Sequence, residues 1–127
     1  MIKIKRAYED ASEDDGCRIL VERLWPRGVT KERADLDLWL KDVAPSTELR
    51  KWFHSHPDGW EEFRERYRRE LADKKDDIDL LMKKAEEGTV TFIYSARDRE
   101  NNAATELKAY IEQHAGKSEK RKLDAAH

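Results

Sequence analysis

The sequence predicts an α/β protein: a small, mainly parallel sheet of about three strands with four to five surrounding helices. Three observations carry that reading. Ile19-Leu20-Val21 is a consecutive apolar run of the kind found in strands covered on both faces. Val90 to Tyr94 is a second run, β-branched and aromatic. The long connection between them has helical period, and a helix-rich crossover makes the two strands it joins parallel.

Taken in order, Ile2 to Lys5 alternates apolar and charged, as a strand with one buried face does. Glu9 to Gly16 is acidic and closes on Asp14-Asp15-Gly16, a turn signal. It is either a loop or one irregular helical turn, and the direction of the first strand stays open. The central strand runs into Arg23-Leu24-Trp25-Pro26-Arg27-Gly28, where Pro26 ends the ladder because it has no N–H.

Thr30 is a candidate N-cap for a helix whose Leu36, Trp39, Leu40 and Val43 share a face. Ser46 caps a second helix carrying Leu49, Trp52 and Phe53, which stops before Pro57. Asp58 with Glu61 has the spacing of a capping box, and Trp60, Phe63, Tyr67 and Leu71 form the stripe of a third helix. Ile78, Leu81, Met82 and Ala85 mark a fourth, closed by Gly88. After the strand at Val90 to Tyr94, Ala104, Leu107, Tyr110, Ile111 and His114 define the last helix. The four tryptophans, 25, 39, 52 and 60, are expected to fill the gap between sheet and helices. One compact domain over residues 1–116 is expected, with a loosely packed tail over residues 117–127.

Lys and Arg number 26 against 28 Asp and Glu, for a net charge of -2, so bulk charge does not mark a strongly basic nucleic-acid binder. A charged fraction of 43%, well above the roughly 25% of an ordinary domain, implies long solvated helix faces laced with ion pairs. Cys17 is the single cysteine, which rules out an intramolecular disulfide and favours a reducing compartment. With no run of eighteen apolar residues and no apolar leader, the expectation is a cytoplasmic protein with no membrane partner.

Parallel neighbours would bring together the loops at the carboxyl ends of the second and third predicted strands, where open α/β sheets bind ligands. Arg23, Arg27 and Gly28 would then face Ser95, Arg97, Asp98, Asn101 and Asn102. Arginine forks and a helix N-terminus suit a phosphate or carboxylate. Asp98 is the nearby candidate for acid or base work. An equally weighted structural reading has the arginines pairing with Asp98, Glu22 or Asp42 to pin loops, while Asn101 or Asn102 caps the helix. His54, His56 and Asp58 have metal-compatible spacing but lack a second ligand cluster, so no metal site is assigned. Cys17 precedes its strand and reads as a buried apolar residue. The Arg64 to Arg69 run, interleaved with Glu61, Glu62, Glu65 and Glu70, reads as a salt-bridged solvated face.

The strings Arg23-Leu24-Trp25-Pro26-Arg27-Gly28-Val29, Leu38-Trp39-Leu40-Lys41-Asp42-Val43-Ala44-Pro45-Ser46, Leu49-Arg50-Lys51-Trp52-Phe53 and Tyr94-Ser95-Ala96-Arg97-Asp98, with Asn101-Asn102-Ala103, resemble the YeaO-like family. This is a domain-of-unknown-function family of small bacterial and archaeal proteins. The resemblance covers about residues 1 to 114. It implies a compact α/β domain with an arginine- and proline-bearing segment after one strand and a polar signature after a later one. The wider superfamily often carries cysteines in that second signature; Ser95 to Arg99 has none, which counts against thiol or metal chemistry there. No activity, substrate or cofactor comes with the name. The functional expectation is a binder of a small anionic ligand, phosphorylated or nucleotide-like, with or without a catalytic step. The alternative is a non-enzymatic module that binds nucleic acid or protein. Cofactor and oligomeric state stay open.

Overall fold

The computed structural model describes residues 1–125, with side chains described through residue 115. Its elements are β1 (Ile2–Arg6), a 3-10 turn (Glu13–Asp15), β2 (Cys17–Leu20), α1 (Lys31–Ala34), β3 (Leu38–Trp39), a second 3-10 turn (Lys41–Val43), α2 (Thr47–Ser55), α3 (Trp60–Ala72), α4 (Lys75–Glu87), β4 (Val90–Tyr94) and α5 (Ala103–Ala125). The expected α/β class holds, with four strands in place of about three. The strand order is β1-β4-β2-β3, and every pair is parallel. β4 is thus a central strand, buried along its whole length. Its register sets Phe92 beside both Ile4 and Ile19.

Two apolar clusters cover the two faces, as the Ile19-Leu20-Val21 run implied. On one, Ile19, Val21, Val90, Phe92 and Tyr94 meet α2 to α5 through Leu49, Phe63, Tyr67, Leu71, Ile78, Leu81, Leu107 and Ile111. On the other, Leu20 and Ile93 pack with Ala7, Val29 and Ala34 beneath Trp25, Leu36 and Trp39. Side chains as deeply buried as Phe92 and Leu107 each stabilise the fold by about 2 kcal/mol. The tryptophans sit at the rims of these clusters, all half-buried, rather than filling the interior. A buried phenol needs a partner, and Tyr67 Oη donates to the Val43 carbonyl at 2.7 Å.

The helix expected to run on through Val43 is the main correction. α1 does start at the Thr30 cap, whose Oγ1 accepts from Arg33 N at 3.1 Å, but it ends after one turn at Asp35, whose φ is +46°. Asp37 N then donates to the Arg18 carbonyl at 2.9 Å, and its carboxylate accepts from Arg18 N at 2.8 Å. Residues Leu38 and Trp39 continue as a strand on the open edge of β2. Unpaired edge groups are costly, and satisfying them overrides the local helical spacing. The Asp58 capping box is also absent: Gly59 is the N-cap of α3, without a side-chain cap bond. Arg64 and Arg68 are not merely solvated, since both donate to the buried Glu106 of α5 and lock two helices together. The packing expected of the tail over residues 117–127 lies outside the described side chains.

Candidate functional site

Because all four strands are parallel, their carboxyl ends share one edge, and β2 and β4 deliver their loops to it side by side. Contact is made by Glu22. Its carboxylate accepts from Ser95 N at 2.7 Å and from Ser95 Oγ at 2.8 Å, and its own carbonyl accepts from Trp39 Nε1 at 2.6 Å. One residue therefore clasps β4's loop and anchors β3. The β1 end joins as well: Arg6 donates through Nε to the Ala96 carbonyl at 3.0 Å and through a terminal nitrogen to the Ser95 carbonyl at 3.4 Å.

The predicted residues divide at this point. Arg23 turns toward the chain before α2, donating to the carbonyls of Pro45 at 3.0 Å and Ala44 at 3.4 Å. Arg27 and Arg97 are exposed, and among the described residues neither has a hydrogen-bond or ion-pair partner. Gly28 adopts φ +78°, a left-handed turn that glycine accommodates, while a Cβ there would meet nothing within 4 Å; conformation, not crowding, requires it. Trp25 Nε1 closes this turn on the Val29 carbonyl at 2.6 Å.

On the other loop, Asp98 Oδ1 accepts from Glu100 N at 2.9 Å and from Asn101 N at 3.0 Å. Those backbone bonds, Asn101 first, hold its carboxyl below the usual aspartate value. Asn102 is buried: its Oδ1 accepts from Thr105 N at 2.9 Å, capping α5, and its Nδ2 donates to the Asp98 carbonyl at 2.9 Å. Asn101 is exposed. So Ser95, Asp98 and Asn102 are tied into the loop, and two free guanidinium groups stand on it and on its neighbour.

Sequence reasoning gave too little weight to Glu22 and did not select Arg6, Tyr8, Glu9 or Arg99. Arg99 pairs with Glu9 at 2.8 Å, and this hydrogen bond lowers the Glu9 pKa. The missing signal was the direction of β1, because only a parallel β1 brings its last residues to this edge. Elsewhere, His56 Nδ1 donates to the Trp52 carbonyl at 2.9 Å and its ring stacks on Trp52. No group of three His, Cys, Asp or Glu side chains among the described residues is placed to hold a metal ion. Two surface hollows, of about 360 and 240 Å³, lie against Trp52 and Pro57 and against Ser46 and Arg69. No helix among the described residues is long and apolar enough to cross a membrane.

These features define a small parallel α/β domain with clasped polar loops at the carboxyl edge of its sheet. The chain belongs to the family described as the inactive DUF488-N3 subclade, whose sequence model matches residues 1–126. It is similar to the uncharacterized protein YeaO of Escherichia coli (strain K12), 43% identical over 110 residues that cover 87% of this chain and 96% of the relative. It is also similar to the uncharacterized proteins Mb3100c of Mycobacterium bovis and Rv3073c of Mycobacterium tuberculosis, each 49% identical over 72 residues, 57% of this chain and 61% of theirs. No solved structure matches it.

Proposed function

We propose that this protein binds a small anionic ligand, phosphorylated or nucleotide-like, at the carboxyl edge of its sheet, and that it does not turn the ligand over. The observation that carries this reading is the contrast among the arginines there. Arg6 and Arg23 donate to backbone carbonyls, whereas Arg27 and Arg97 are exposed and, among the described residues, unpaired on adjoining loops held together by Glu22 and Ser95. A guanidinium with its donors unused is matched to phosphate or carboxylate oxygens. Asp98, the candidate acid or base, is instead held in its own turn, where one carboxylate oxygen accepts from Glu100 N and Asn101 N. The family description, an inactive subclade, supports the absence of turnover.

Thermal unfolding with and without inorganic tripolyphosphate tests the reading. Ligand at about a hundred times its Kd would add roughly 2.7 kcal/mol and raise Tm by about 10 °C. The double variant Arg27→Ala, Arg97→Ala is expected to lose that shift. An unshifted native protein, or an equal shift in the variant, overturns the proposal.

A further inference from the structure

Four large apolar side chains are conspicuously exposed among the described residues: Met1, Tyr8, Leu24 and Leu80. Two of them, Tyr8 and Leu24, lie in the loops that follow β1 and β2, on the edge that also carries Arg27 and Arg97. Tyr8 is 39% exposed, yet its surroundings hold it in place. Its carbonyl accepts from Arg33 at 2.8 Å, and the next residue, Glu9, accepts from Arg6 N at 3.0 Å and from Arg99 at 2.8 Å. The Arg6 guanidinium lies over the Tyr8 ring, 5.2 Å from its centroid, while donating to the backbone of Ser95 and Ala96. A single cation therefore connects the aromatic ring to the segment that leads into Arg97.

We propose that the anion bound here is the phosphate of a nucleotide whose base stacks on Tyr8; this rests on the anion-binding reading above. A bare phosphate has no use for a fixed, exposed aromatic ring. A nucleotide has both a charged end for the unpaired guanidiniums and a flat π-face for the ring. Arg6 stands over one face of Tyr8, and the base would stack on the other. Arg6 also withdraws charge from the ring through its cation–π contact, which favours an electron-rich base above it. Stacking of this kind is tolerant of base identity, so the platform selects nucleotides from other phosphorylated compounds without choosing among them.

Calorimetric titration of the full chain with ATP and with inorganic tripolyphosphate separates the two levels of the proposal. ATP is expected to bind about tenfold more tightly than tripolyphosphate. Tyr8→Ala should erase that advantage while leaving tripolyphosphate binding unchanged, and Tyr8→Phe should keep it, because phenylalanine preserves the ring. Equal affinities for the two ligands in the native protein, or an ATP advantage that survives Tyr8→Ala, overturn base stacking and leave anion binding standing. If neither ligand binds, or if Arg27→Ala with Arg97→Ala leaves tripolyphosphate affinity unchanged, anion binding itself fails and the nucleotide proposal with it.

Discussion

The two ends of the sheet use the same side chains in opposite ways. At the amino end, Arg18 is buried and completely engaged. It donates to Asp15 at 2.5 Å, to the Ala34 carbonyl at 2.8 Å and to the Asp35 carbonyl at 3.2 Å. Lys5 adds a second cation to Asp15 at 3.1 Å. Each guanidinium nitrogen of Arg18 has an acceptor, as a buried charge requires. At the carboxyl edge, Glu22 and Ser95 form a comparable clasp, but Arg27 and Arg97 beside it are left open to solvent. The first network holds the fold together and leaves nothing to offer a ligand. The second has a rigid base and unused donors, so the meaning of an arginine here depends on where its hydrogen bonds end.

The largest expected effects break the closed end. Gly16 has φ +61°, and a Cβ there would sit 2.2 Å from the Thr89 carbonyl oxygen, so Gly16→Ala is expected to cost about 3 kcal/mol or more in urea unfolding. Arg18→Met should cost a similar 3–5 kcal/mol, since it leaves the buried Asp15 with Lys5 as its one remaining cation and strips the Ala34 carbonyl of its donor. A loss below about 1 kcal/mol for either variant would show that this end is not the closed network described.

Acid sharpens the same contrast. Burial alone would raise the Asp15 pKa, but the bonds from Ser12, Lys5 and Arg18 outweigh it and hold the carboxyl below its ordinary value. A depressed folded-state pKa contributes stability that is fully present above the unfolded value near 4 and is lost as pH falls through the folded value. Asp15→Asn should therefore be less stable at neutral pH, yet show a shallower loss as pH falls below about 4, as read from urea midpoints across pH. Parallel curves for the two proteins would contradict this.

Effects shrink at the open edge. Glu22→Gln keeps the shape of the clasp but removes the charge, and is expected to cost about 1–2 kcal/mol with faster proteolysis of the loops. Arg27→Ala and Arg97→Ala should each change stability by less than about 0.5 kcal/mol without ligand. A large loss in either would place that arginine among the structural ones.

Much of the fold was legible because it rests on burial. Ile19-Leu20-Val21 and Val90 to Tyr94 are too apolar to lie anywhere but a covered sheet, and Thr30, Ser46 and Asn102 cap helices through bonds that span three residues. The candidate site was legible only as a set of residue types. That Arg23 is spent on Pro45 while Arg27 is not could not be read from two arginines flanking one proline. Nor could the role of Glu22, whose partner Ser95 lies in a distant part of the chain.

By itself, the sequence determined the apolar runs, the caps at Thr30 and Ser46 and the turn at Gly28, all set by the chemistry of a few adjacent residues. Only the tertiary structure decided that residues Leu38 and Trp39 leave a helical pattern to pair with β2, and that β1 runs parallel to β4. The physical reason is the same in both cases. A strand edge is satisfied by whichever segment the completed fold brings to it, and local propensity is too weak to resist. The same pairing carries Arg6 and Tyr8 to the edge where Arg97 stands.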